Sequence, residues 1–284
     1  MRYPLLTSLA LAAALPSAHA TTMNVFAQCQ LVPWATFGPA GVTTAVGLVA
    51  RDGGTVEWAY FDENGDLQQQ GNFPVDDNSL ESVVLELVLD PTLSGIQGFM
   101  LFCLDDNDDG EIDGDDDADL SANAFYVDLD SSDVAFVPTW PVFEEDLDES
   151  DPDDWDNSPV DSLAGAAESD ENIYLQYLVD GQRGSGDDTA LFIFTTDEPD
   201  SQAQMLAVGP NETNNVNVSL PNSRVNVVDV ENIDEINNTA GLLPNGFLRY
   251  TVGDNVDSAI GFSIVYSPGF GALQTLMGHL DIDP

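Results

Sequence analysis

Between Asp105 and Asp116 the chain reads Asp105, Asp106, Asn107, Asp108, Asp109, Gly110, Glu111, Ile112, Asp113, Gly114, Asp115, Asp116. Side-chain oxygens recur along it on both sides of a glycine, which is the donor chemistry that a hard divalent cation takes from a tightly turned loop. Other chemistry is thin. His279 is the only histidine after residue 20 and lysine is absent, which removes most Ser-His-Asp arrangements and zinc sites built on several histidines. Gly184-Ser185-Gly186 lacks the spacing of a nucleophile elbow. His279 reads as an ordinary surface or packing residue. The 51 acidic residues are too many to single out a carboxylate pair for glycoside hydrolysis. No catalytic or organic-cofactor residue is assigned.

The elements that must carry this loop read as strands. From Met23 to Val142 short apolar or alternating runs are separated by turn residues, the pattern of an antiparallel β fold. Val42 to Arg51, Thr55 to Phe61 and Leu67 to Phe73, joined at Asp52-Gly53-Gly54 and Asp62-Glu63-Asn64-Gly65, predict a three-stranded meander. Asn78 to Leu89 fits a helical face (Leu80, Val83, Val84, Leu87) and a strand (Val83, Leu85, Leu87, Leu89). Its β-branched content and the Asp90-Pro91 stop favour a strand, which would pair with Ile96 to Leu104.

Residues 143–171 change character, with Glu144, Glu145, Asp146, Asp148, Glu149, Asp151, Asp153, Asp154 and Asp156 crowded together before Ser158-Pro159. Like-charge blocks with proline are usually solvated and extended, so this stretch is read as an acidic linker. Beyond Asn172 the strand pattern resumes through Phe270 to Leu280. The expected fold is all-β: two antiparallel β-sandwich domains of jelly-roll or Ig-like type, over 21–142 and 172–284, joined by that linker.

Residues 105–116 resemble the calcium loop of EF-hands and of related loops in extracellular proteins. With Asp105 in the first position, the resemblance implies ligands from Asp105, Asn107, Asp109, Asp113 and Asp116, with Glu111 giving its carbonyl. Gly110 stands where the sharp turn is needed and Ile112 at the apolar eighth position. The twelfth residue is aspartate instead of the bidentate glutamate. The flanks, Gly98 to Leu104 and Asp117 to Ala122, carry no paired-helix pattern. The resemblance therefore implies a structural calcium loop between strands, with a Kd of roughly 10⁻⁴ to 10⁻³ M, as in extracellular modules. Asp62, Asn64 and Asp66 offer a second oxygen cluster, read as an Asx-rich hairpin turn.

Arg2, the apolar run Leu5 to Leu15 and the triplet Ala18-His19-Ala20 have the layout of a signal peptide over residues 1–20. Past it, no stretch is long and apolar enough to span a membrane as a helix, so an extracellular, cell-surface or periplasmic location is expected. Cys29 and Cys103, an even pair in an exported chain, favour one disulfide. Removal of Arg2 leaves four arginines against 51 acidic residues. Such a charge calls for screening salt or bound cations, reads as adaptation to saline surroundings, and makes nucleic acid and anionic membranes poor partners.

Trp34 and Trp58 lie in apolar runs and read as core. Trp140 and Trp155 are the expected exposed indoles, the platform that a carbohydrate-binding reading would use for sugar rings. Sequons stand at Asn211, Asn217 and Asn237. The functional expectation is a secreted or cell-surface, calcium-binding β-sandwich protein without enzymatic activity, acting in binding, adhesion or matrix contact. Its partners would be calcium and a polysaccharide or another surface protein. A carbohydrate-binding module and a carboxylate-dependent glycoside hydrolase are the alternatives.

Overall fold

Phe99 to Leu104 is an unbroken apolar run, and a strand of that composition is stable only with both faces covered. It forms part of β6 (Gln97–Asp105), which lies beside β1 (Cys29–Thr36) at the middle of the molecule. The computed structural model describes residues 25–38, 41–107, 110–112, 119–130, 133–178, 188–197, 205–208, 213–216, 220, 223–233, 245–267 and 272–280. Residues 1–20, Gly184-Ser185-Gly186 and the sequons at Asn211, Asn217 and Asn237 lie outside the described residues.

The first half adds β2 (Val42–Ala50), β3 (Gly54–Asp62), β4 (Leu67–Val75), β5 (Ser79–Val84), β7 (Leu120–Asp128), β8 (Asp133–Val137) and β9 (Trp140–Val142). These build two antiparallel sheets, a central one ordered β4-β3-β6-β1-β9 and an outer one ordered β5-β2-β7-β8. The second half has β10 (Asn172–Leu178), β11 (Asp188–Thr195), β12 (Met205–Val208), β13 (Thr213–Val216), β14 (Val225–Asp229), β15 (Asn245–Thr251), β16 (Ala259–Ser267), β17 (Ala272–Met277) and β18 (His279–Leu280). They form a third sheet, β14-β11-β16-β17, and a fourth, β13-β12-β15-β10-β18. The all-β, two-sandwich expectation is met.

Alternation along β11 explains how the halves join. Leu191 and Ile193 enter the core shared with Ile173, Leu175, Leu248 and Tyr250 of the fourth sheet. Phe192 and Phe194, on the other face, enter the core of the first half. Trp34 meets Phe192 with ring centroids 4.4 Å apart, and Phe99 meets Phe194 at 5.1 Å. The central sheet is thus covered by the outer sheet on one side and by the third sheet and the 143–166 segment on the other. Pro33 sits inside β1 where the register with β6 shifts, between Val32 and Ala35, a position that spares the ladder a missing N–H.

Several local expectations are corrected. β2, β3 and β4 are not one meander. β3 and β4 form a hairpin, but β2 belongs to the outer sheet, between β5 and β7, because the Arg51 to Gly54 corner carries the chain across the sandwich. The 78–89 segment is a strand only to Val84; Leu85–Val88 forms a short helix, α1. Leu85 and Leu89, four apart, are buried while Leu87 is 81% exposed, so the helical spacing governs that end. β5 pairs with β2, and Ile96 to Leu104 pairs with β1 and β3.

The acidic stretch also differs from a solvated tether. Trp155 is 2% exposed and Trp140 5% exposed, so neither expected surface indole is at the surface. Leu147 bridges Val160, and Asp66 bridges Asn157. The Leu67 N–H donates to the Asp156 carbonyl at 3.1 Å, and Val160, Leu163 and Ala166 join the first core. Apolar residues spaced between the acids pull the chain down while most of these carboxylates stay outside, the buried Asp146 being an exception. Residues 149–157 are called the strap below.

Cys29 and Cys103 face each other across β1 and β6 and are bridged. Both are fully buried. Closing a loop with 74 residues of separation removes denatured-state entropy worth on the order of 4 kcal/mol. The double change Cys29→Ala and Cys103→Ala is expected to lower unfolding free energy by about that amount, measured by denaturant titration; an unchanged midpoint would contradict it.

Candidate metal centre

The 105–116 loop leaves the central sheet at the last residue of β6, and the chain enters the outer sheet at Leu120, the first of β7. It therefore crosses between two sheets at one end of the first sandwich, beside the Arg51 to Gly54 corner that crosses at the same end. The Arg51 N–H donates to the Asp119 carbonyl at 2.9 Å. The Arg51 guanidinium meets the Asp119 carboxylate at 2.8 Å and lies 4.2 Å from the Phe26 ring centroid. Gly54 fits against the other end of the loop because a first side-chain carbon there would lie 2.3 Å from the Asp105 carbonyl oxygen. Only glycine allows that approach.

Asp105 is 3% exposed. Its Oδ2 accepts the Gly110 N–H at 2.9 Å, which Gly110 offers from a left-handed conformation with φ of 90°. Its Oδ1 is buried with no hydrogen-bond partner. A carboxylate oxygen withdrawn from water without a partner is costly, and a bound hard cation is one arrangement that satisfies it. Ile112 is fully buried, and its N–H donates to the Ser150 carbonyl of the strap at 2.8 Å. Of the expected ligands, Asp105, Asn107 and Glu111 are described, the latter two on the exposed surface; Asp109, Asp113 and Asp116 lie outside the described residues. Among the described residues, no three His, Cys, Asp or Glu side chains gather in a metal-holding group.

Further carboxylates approach from other segments. Glu57 on β3 stands opposite Cys103, with the neighbouring pair Thr55 and Asp105. Burial pushes the Glu57 carboxyl above its ordinary 4.5, the Asn72 amide that donates to it opposes the rise, and the negative charges of Asp105 and Asp153 add to it. Asp153 belongs to the strap, on the 3-10 turn Pro152–Asp154. Acids from β3, the loop and the strap thus share one field. The sequence gives no sign of this grouping, because Glu57 and Asp153 are far from the loop along the chain.

The Asp62 cluster is a turn, as read from the sequence. Asp62 Oδ1 accepts the Asn64 and Asp66 N–H groups at 2.9 and 3.2 Å, and its Oδ2 accepts from the Gln68 amide at 2.9 Å. Next to it, a polar cavity of about 420 Å³ opens between the halves, lined by Asn64, Gly65, Asp66, Asn157, Asp197, Arg224 and Asn255. Sequence analysis did not find it. Arg224, one of five cations in the chain, donates to the carbonyls of Thr196 and Val160 and packs along Gly65. Asn64 accepts from the Ser223 hydroxyl at 3.2 Å. These groups tie the hairpin, the end of the acidic stretch and the second half together.

No protein-family model matches the chain, and no curated protein is significantly similar to it in sequence. Among the solved structures that resemble the chain, three are described, all with low scores. The vicilin of Corylus avellana (hazelnut) is 9% identical at a TM-score of 0.22, with 89% of this chain and 75% of that one covered. The BSP domain of a biofilm-associated protein is 8% identical at 0.20, covering 93% and 62%. A lectin of Pleurotus ostreatus in complex with GalNAc is 11% identical at 0.19, covering 90% and 85%. Scores at this level assign no function.

A glutamate whose folded-state value is raised binds its proton more tightly folded than unfolded. Its contribution is therefore lost as pH rises from about 4.5 through the folded-state value. Glu57→Gln is expected to raise the melting temperature at neutral pH in chelator, with the gain shrinking toward acid pH. A gain that is the same across the acid-to-neutral range would show that the Glu57 charge is not its source.

Proposed function

We propose that this chain is an exported, calcium-stabilised β-sandwich protein that acts at or outside the cell surface through binding, adhesion or matrix contact. The observation that carries the calcium part is Asp105. At the first ligand position of the loop it is held in place by the Gly110 N–H, while its other oxygen is buried without a partner. The residues fit the group. Asp105, Asn107 and the Glu111 carbonyl, with Asp109, Asp113 and Asp116, would supply hard oxygens of the kind calcium prefers. The ion would supply positive charge and a rigid cross-link, with no chemical step.

Export is supported by the layout of residues 1–20 and by the buried Cys29–Cys103 bridge, since such bonds persist in oxidising compartments. Among the described residues, no helix is long and apolar enough to cross a membrane. The surface charge fits a saline exterior, where counterions screen repulsion. The carbohydrate-binding alternative relied on exposed indoles, and all four tryptophans are buried. The remaining partners proposed are a polysaccharide or another surface protein held by other contacts.

Melting curves in calcium, in chelator, and in chelator with molar sodium chloride test the reading. At roughly ten to a hundred times Kd, a specific ion adds about 1.4 to 2.7 kcal/mol. Asp105→Ala with Asp109→Ala is expected to abolish that gain. Full recovery of stability by sodium chloride alone would replace the specific site with general screening.

A further inference from the structure

We infer that the polar cavity between the two halves is a binding site for a neutral polyhydroxylated ligand, a sugar unit of a saccharide chain. This rests on the polysaccharide partner proposed above and gives that partner a place and a chemistry.

The cavity is preformed. Its volume of about 420 Å³ is in the usual range for a small-ligand site, and main-chain bonds fix its walls. The Ser158 N–H donates to the Gly65 carbonyl at 2.9 Å and the Val225 N–H to the Glu63 carbonyl at 3.0 Å, and the Asp66 to Asn157 bridge joins the hairpin to the end of the acidic stretch. In the second half the Thr195 N–H donates to the Arg224 carbonyl at 2.9 Å, and the Asp257 N–H to Asp197 Oδ2 at 3.3 Å. Gly65, with φ of 94°, leaves room for the Arg224 stem, since a first side-chain carbon there would stand 2.8 Å from Arg224 Cδ.

The lining selects the ligand by elimination. Among the described residues, no aromatic or aliphatic side chain lines the cavity, so an apolar ligand finds nothing to pack on. An anion would meet the Asp66 and Asp197 carboxylates, in a chain of net charge −46, and a guanidinium already engaged with the Val160 and Thr196 carbonyls. A metal ion would meet that same guanidinium, and neither carboxylate is stranded: Asp66 is exposed to water and Asp197 accepts a backbone N–H. What is left are groups that donate and accept together. Asn64, Asn157 and Asn255 converge from three distant segments. Among the described residues, the Asn64 amide nitrogen, the Asn157 amide and the Asp66 carboxylate have no hydrogen-bond partner. Each sugar hydroxyl is both donor and acceptor and therefore matches a primary amide, with the carboxylates as further acceptors. Asn64, Asp66, Asn157 and Asn255 are all exposed, so a saccharide chain can lie across the opening without threading the fold.

Saturation-transfer NMR and calorimetry on the whole chain in calcium test this. The neutral probes are oligosaccharides of glucose, galactose, mannose and N-acetylglucosamine; the charged probes are uronic-acid oligosaccharides and inorganic phosphate. A neutral probe is expected to bind with a Kd on the order of 10⁻³ M per sugar unit, because no apolar face is buried. That affinity should hold from moderate to molar sodium chloride, and the charged probes should bind at least about tenfold more weakly. Asn64→Ala and Asn157→Ala should each weaken binding by about three- to tenfold, and Asn157→Ala should leave the melting temperature in place. Full-strength binding in the Asn64→Ala, Asn157→Ala double variant would overturn the cavity as the site and leave the polysaccharide partner standing. Equal or tighter binding of a charged probe would overturn the neutral-ligand class. No binding of any neutral probe by the folded protein would remove the site and the polysaccharide partner together.

Discussion

The burial of the central sheet on both faces is the constraint on which the rest depends. β1 and β6 are apolar along nearly their whole length, so one covering layer is not enough. The outer sheet covers one side. The other side needs both the third sheet, through Phe192 and Phe194, and the acidic stretch, through Trp155, Val160 and Leu163. The chain thus lays one of its most negative segments over its most apolar layer, because the apolar residues it needs are interspersed among the acids.

That arrangement creates two populations of carboxylates. Among the described residues most stay in water, where salt screens them and they favour solubility. A few are drawn inward: Asp105 by the end of β6, Asp119 by its pairing with Arg51, and Asp146, whose oxygens accept from the Phe143 N–H and the Ser162 hydroxyl. Asp119 and Asp146 have their partners within the protein. Asp105 is satisfied at one oxygen only, and that difference separates a structural carboxylate from a candidate ligand.

Much of the architecture was legible along the chain, since period-two alternation and turn residues mark strands whatever their neighbours. Strands β3 and β4 stand close to where those patterns lie. Partner choice was not legible. β2 looks like the natural neighbour of β3, but the corner at Arg51 to Gly54 packs against both ends of the 105–119 loop and sends the two strands into different sheets. The 78–89 segment satisfies both periods, and the choice fell to the burial of Leu85 and Leu89. Trp155 looks exposed in an acidic block because local composition does not report what lies across the fold.

The sequence by itself determined the all-β class, the cysteine pair, the excess of negative charge and the oxygen-rich loop, since each follows from residue type and short-range spacing. Only the tertiary structure decided which sheet each strand joined, that the acidic stretch became a cover, and that Glu57, Asp105 and Asp153 came to share one field. The physical reason is range. Backbone propensity and ligand spacing act over a few residues, whereas burial and Coulomb repulsion act between segments that meet only after the chain has folded.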